Sequence, residues 1–151
     1  MKRTIWMLTL AAVALGGCST ARLQTPAGFA AHTDDKTYEY RASDGAGVVI
    51  AVRREKNRPQ GDLDFWSAAL DVNLRQAGYQ ATERGDVLSA DGHTGRQLRY
   101  VVPTAGRELT FWVTLFVTQR QVVVVEAGGD SELFEPKAAT VQGAIASLEV
   151  G

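Results

Sequence analysis

From Lys36 to Ser43 polar and apolar positions alternate, with Tyr38 and Tyr40 on one side and Thr37, Glu39 and Arg41 on the other. A period of two predicts a strand. Val48 to Arg54 returns after Asp44-Gly45-Ala46-Gly47, where glycine supplies the positive φ of a turn, so 36–54 reads as a hairpin. Arg58-Pro59-Gln60-Gly61 breaks the pattern, and Asp62 stands where its side chain can cap a helix. Leu63, Trp66, Leu70, Leu74 and Ala77 then recur at spacings of three and four, which predicts an amphipathic helix ending at Gly78.

The next stretch is strand-rich. Tyr79 to Arg84 and Asp86 to Ala90 read as two short strands, and Arg96 to Val102 as a third. Arg107 to Thr118 alternates most cleanly: Leu109, Phe111, Val113, Leu115 and Val117 share one face, and Trp112 and Phe116 the other. After the reversal at Gln119-Arg120, Val122 to Val125 is apolar on both faces. A strand apolar on both faces is covered from both sides. Phe134, Ala138, Val141, Ile145 and Leu148 supply a second helical stripe, firmest over 137–148, with Pro136 in its first turn. The predicted fold is α+β, an antiparallel sheet with a helix on each face.

Before this domain the pattern changes. Lys2 and Arg3 precede the apolar run Ile5 to Leu15, which is closed by Leu15-Gly16-Gly17-Cys18. A charged start, a short apolar stretch and small residues at its end describe a secretory signal. The run is too short to span a bilayer, which needs about 20 residues. The tetrapeptide resembles the lipobox of bacterial lipoproteins. That resemblance implies cleavage between Gly17 and Cys18 and diacylglyceryl transfer to the Cys18 thiol. Two acyl chains anchor a protein stably. The expected organisation is a signal peptide over 1–17, a lipidated N-terminus and tether over 18–27, and one domain over 28–149. Ser19 in place of aspartate after the cysteine favours the outer membrane of a Gram-negative cell, facing the periplasm.

Composition narrows the function classes. Loss of Lys2 and Arg3 leaves 14 basic residues against 17 acidic ones, a net charge of −3. Cys18 is the sole cysteine, so no intramolecular disulfide forms. The basic run Arg53-Arg54-Glu55-Lys56-Asn57-Arg58 reads as a solvated strand end and loop, and nucleic acid is not an expected partner. The expected partners are membrane lipid through Cys18 and another envelope protein.

No complete catalytic constellation emerges, and no cofactor is expected. Gly129-Asp130-Ser131-Glu132-Leu133 superficially resembles the Gly-Asp-Ser block of a lipase/esterase family, but no histidine follows Ser131, and a serine nucleophile needs a base in reach. Asp130 and Ser131 read better as helix caps. His32 and His93 are too isolated in sequence for a metal site. Glu126 continues the valine run, and Arg99 or Arg53 on other strands could pair with it. Trp66 and Trp112 are either core or the walls of an apolar pocket. Trp66, Trp112 and Glu126 are therefore the candidate ligand or partner residues.

The order hairpin, helix, antiparallel strands, helix over residues 27–149 resembles the PsbP-like α/β/α sandwich and small lipoproteins of the DcrB type. The resemblance rests also on Asp64-Phe65-Trp66 in the first helix and on Val-Val-Glu-Ala-Gly at 124–128. It implies a binding or assembly factor and transfers no catalytic residue. A cystatin-like α+β fold is the structural alternative. The leading functional expectation is a non-enzymatic envelope lipoprotein; a carrier or sensor of a small apolar ligand and a Ser131 hydrolase are the others.

Overall fold

Val122 to Val125 are all buried, none more than 4% exposed, and they form the middle of β7 (Gln121–Asp130). The structure, a computed structural model, describes residues 21–151; the lipobox and Cys18 lie outside the described residues. The other elements are β1 (Ala30–Ala31), β2 (Tyr40–Ser43), β3 (Val49–Lys56), α1 (Leu63–Gln76), β4 (Gln80–Leu88), β5 (Thr94–Thr104), β6 (Arg107–Val117), a short α2 (Ser131–Phe134), a 3-10 turn (Glu135–Lys137) and α3 (Ala138–Ala146). The strands form one seven-stranded antiparallel sheet in the order β1-β2-β3-β7-β6-β5-β4. After β3 the chain crosses one face as α1 and reaches the far edge. The β4–β7 meander then returns until β7 pairs with β3, from Val49↔Gly128 to Lys56↔Gln121.

Alternation along β3, β6 and β7 sorts the side chains into two cores. Val48, Ile50, Val52, Trp112, Phe116, Val123 and Val125 meet Phe134 and the α3 residues Val141 and Ile145. Leu98, Tyr100, Val113, Leu115, Val122 and Val124 meet Leu63, Trp66, Leu70 and Leu74 of α1. A helix therefore covers each face. Each fully buried valine or leucine contributes roughly 1.5–3 kcal/mol. α1 begins where Asp62 Oδ1 accepts the Phe65 N–H at 2.8 Å, and it ends before Gly78 at φ +94°.

Four local expectations are corrected. The two short strands over 79–90 are one strand, β4, whose register shifts between Ala81 and Glu83. The irregularity resets the alternation, and an exposed edge strand shows little of it. β2 starts only at Tyr40, because Asp35 Oδ1 accepts the Thr37 N–H at 2.9 Å and turns the preceding chain. Leu148 is fully buried as its spacing implied, but lies past the end of α3: the Ala90 N–H donates to its carbonyl at 2.8 Å. Residues 21–24, expected within the tether, are docked. Ala21 and Leu23 join the α3-side core, and Arg22 and Glu149 exchange backbone hydrogen bonds of 3.1 and 2.8 Å. Alternation over so few residues is too short to stand out from loop sequence.

The β2–β3 turn is tied to the second face by one carboxylate. Asp44 Oδ1 accepts the N–H groups of Ala46, Gly47 and Val48 at 2.9, 3.0 and 2.9 Å, and Oδ2 pairs with Lys137. The Asp44 side chain has no solvent exposure. Burial pushes its carboxyl up, but the Lys137 ammonium and the three N–H groups outweigh this and hold it at about 2. A depressed carboxylate stabilises the fold fully above its unfolded value of 3.8, and that share is lost as pH falls through about 2. Asp44→Asn should therefore lower the unfolding free energy by about 2 kcal/mol at pH 7. In urea titrations the gap between variant and wild type should close as pH falls from 4 toward 2. A gap that stays constant would assign the effect to turn geometry instead.

Candidate functional site

The sheet is wider than the helix that crosses it. α1 lies over β5, β6 and the Val122–Val124 part of β7, so on the same face no helix among the described residues covers β3 at Val49 and Ala51 or β7 from Glu126 to Gly129. Here the floor is low: Ala51 and Gly128 bring little or no side chain. A Cβ on Gly128 would stand 2.9 Å from the Thr110 carbonyl oxygen, so the strand packing itself demands glycine. The result is an open cleft of about 330 Å³ walled by Tyr38, Arg41, Tyr79, Phe111 and Glu126. Tyr79 meets Phe111 edge-on with ring centroids 5.4 Å apart. A second cleft, of about 170 Å³, runs between α1 (Trp66, Ala69, Leu70, Asn73) and the strand residues Arg53, Lys56 and Val124. Glu126 lines the first cleft and Arg53 the second. Their side chains pair at 3.4 Å, and Arg53 also holds Glu55 at 2.8 Å. The arrangement offers aromatic walls, an apolar floor and one ion pair, the features of a binding surface.

Strand alternation decides which candidate residues meet. Glu126 pairs with Arg53, which shares its face. Arg99 points to the opposite face, where it contacts Gln97, Glu83 and Gln142 at 2.8, 2.6 and 3.2 Å. Its guanidinium also lies 4.0 Å from the centre of the Trp112 ring. Trp112 is 8% exposed and meets Phe134 edge-on at 4.9 Å. Trp66 sits under α1, on the other side of the sheet. Trp66 and Trp112 therefore do not share a pocket; of the two, Trp66 lines a cleft and Trp112 is core. The basic run is split in the same way. Arg54 turns to the α3 side, where its side chain, 8% exposed, holds Glu39 at 3.1 Å.

Ser131 is occupied structurally. Its hydroxyl lies 2.8 Å from Thr110 Oγ1 and 3.5 Å from Glu108 Oε1, while Asp130 caps the Glu132 N–H at 3.1 Å. His32 bonds Ser43 at 2.8 Å and His93 faces Asp91 at 3.2 Å, so neither histidine partners Ser131. Among the described residues, no group of three or more His, Cys, Asp or Glu side chains is placed to hold a metal ion. No described helix is long and apolar enough to cross a membrane.

No protein-family model and no curated protein matches the chain in sequence. Solved structures match its fold. PA94 of Pseudomonas aeruginosa, a protein of unknown function, superposes with a TM-score of 0.59 at 14% identity, covering 85% of both chains. LpqN of Mycobacterium tuberculosis, described as involved in cell envelope biogenesis, gives 0.55 at 13% identity over 85% of this chain and 83% of its own. The cyanobacterial PsbP of Synechocystis sp. PCC 6803 gives 0.55 at 12% identity over 91% and 99%. The chain has the PsbP-like α+β fold. At these identities the likeness speaks for architecture alone.

One organising residue of the site had no sequence signal. Asn57 is 3% exposed. Its Nδ2 donates to the carbonyls of Gly61 and Thr118, both at 2.9 Å. Its Oδ1 accepts the Gly61 N–H at 2.9 Å and the Trp66 indole N–H at 2.7 Å. One amide thus joins the loop before α1, the β6–β7 turn and the tryptophan at the end of the second cleft. An asparagine inside a charged run looks like loop surface, and nothing in the sequence counts its hydrogen bonds. Leaving buried partners unsatisfied costs about 1–3 kcal/mol per group. Asn57→Ala should therefore lower stability by about 2–4 kcal/mol in chemical denaturation. It should also shift the Trp66 fluorescence toward longer wavelength, read in a Trp6→Phe/Trp112→Phe background. An unchanged midpoint and spectrum would show that water replaces the amide without cost.

Proposed function

We propose that the chain is a bacterial envelope lipoprotein, anchored through Cys18, whose PsbP-like domain binds or supports another envelope component without catalysing a reaction. The observation that carries this is the lipobox Leu15-Gly16-Gly17-Cys18 behind a charged start and a short apolar run, with Cys18 the sole cysteine. The described domain adds the binding surface: an open face beside α1, walled by Tyr38, Tyr79 and Phe111 and closed by the Arg53–Glu126 pair. The fold likeness to LpqN, described as involved in cell envelope biogenesis, is in keeping with an envelope role. Outer-membrane attachment facing the periplasm, in a Gram-negative cell, follows from Ser19 after the cysteine.

Cys18→Ser tests the anchor. Wild type should incorporate radiolabelled palmitate and sediment with membranes. The variant should lose the label and either remain uncut or leave the membrane fraction. Unchanged processing and attachment in the variant would remove the reading.

A further inference from the structure

The docked N-terminal segment has a consequence if Cys18 carries lipid, the reading on which this inference rests. Only Ser19 and Thr20 separate Cys18 from Ala21. Three Cα steps span at most about 11 Å. Ala21 is itself held by the fold: it is 7% exposed, and its N–H donates to Glu39 Oε2 at 3.3 Å. The domain has no long tether and must stand at the bilayer surface with this end toward the lipid.

The same end carries a cationic groove. A chain of polar contacts leads there from Ala21: Glu39 pairs with Arg54 at 3.1 Å, and Arg54 Nη1 donates to Gln121 Oε1 at 2.5 Å. Gln121 lines a groove of about 490 Å³ whose charged members are Lys56, Arg58 and Arg120; its other residues are Asn57, Gln60 and Gln119. No carboxylate lines it. None of Lys56, Arg58 and Arg120 takes part in an ion pair among the described residues. The neighbouring carboxylates are engaged: Glu55 holds Arg53, and Asp62 caps α1. Both walls are fixed, because the Asn57 N–H donates to the Arg120 carbonyl at 2.9 Å and Gln60 Nε2 to the Gln119 carbonyl at 3.0 Å. In a mature chain of net charge −3, three free cations on one braced groove are a local exception.

We propose that this groove seats the anionic phospholipid headgroups of the bilayer that holds the anchor, so that the domain is oriented on the membrane and not merely tied to it. Lipid phosphates take the place of carboxylate partners at Lys56, Arg58 and Arg120. The open cleft beside α1 is a different surface and stays available to a partner.

The test uses the lipidated full-length protein on two kinds of vesicle, pure phosphatidylcholine and phosphatidylcholine mixed with phosphatidylglycerol, read by amide hydrogen exchange. Residues 57–61 and 118–121 should exchange up to about a hundredfold more slowly on the anionic vesicles than on the neutral ones, since each of the three basic residues near an anionic surface is worth about fivefold. High salt, and the triple variant Lys56→Glu/Arg58→Glu/Arg120→Glu, should abolish the difference. All three side chains are exposed, and an unchanged melting temperature confirms that the variant is folded. Equal exchange on the two vesicles overturns the proposal while attachment to neutral vesicles upholds the anchor. Protection on neutral vesicles by inorganic phosphate equal to that on anionic ones assigns the groove to free phosphate and overturns the lipid. Failure to stay on neutral vesicles overturns the anchor, and this proposal with it.

Discussion

The pairing of β3 with β7 is the constraint on which the rest depends. It joins an N-terminal hairpin to a C-terminal meander across the α1 crossover. The seam runs through the valine segment, where successive side chains feed opposite cores. Long-range antiparallel pairing carries a loop-closure cost that apolar burial on both faces offsets. Because α1 covers β7 only at Val122 and Val124, the rest of the seam on that face lines the open clefts. Arg53 and Glu126 meet across it for the same reason.

Regular alternation was readable from the residues, and so was everything that follows from it. The strand over Leu109–Val117, the doubly apolar valines and the two helical stripes led directly to a sheet with a helix on each face. What failed was local irregularity. A register shift divided β4 into two apparent strands, and Asp35 shortened β2 from its start. The docking of Ala21 and Leu23 depends on an isolated bridge between Arg22 and Glu149 at the other end of the chain, which no local pattern announces.

The site was less accessible for a geometric reason. Composition can nominate Trp66, Trp112 and Glu126, but only register decides which side of the sheet each takes. It separated the two tryptophans and chose Arg53 over Arg99 for Glu126. It also left Arg54 buried beside Glu39, while Lys56 and Arg58 came to share one groove with Arg120, distant in sequence. Asn57 supports both surfaces, holding Trp66 at the cleft and the Arg120 turn at the groove. It is the residue whose role is least visible in the sequence.

The proposed picture is a domain held close to a bilayer by its first residues, with a cleft for a partner turned elsewhere. Everything in that picture follows from the chemistry at Cys18. The most direct measurement is mass spectrometry of the N-terminal peptide of protein extracted from membranes. The account predicts a peptide that begins at Cys18 and carries a diacylglyceryl group on sulfur. A peptide that begins at another residue, or a Cys18 with a free thiol, would contradict it.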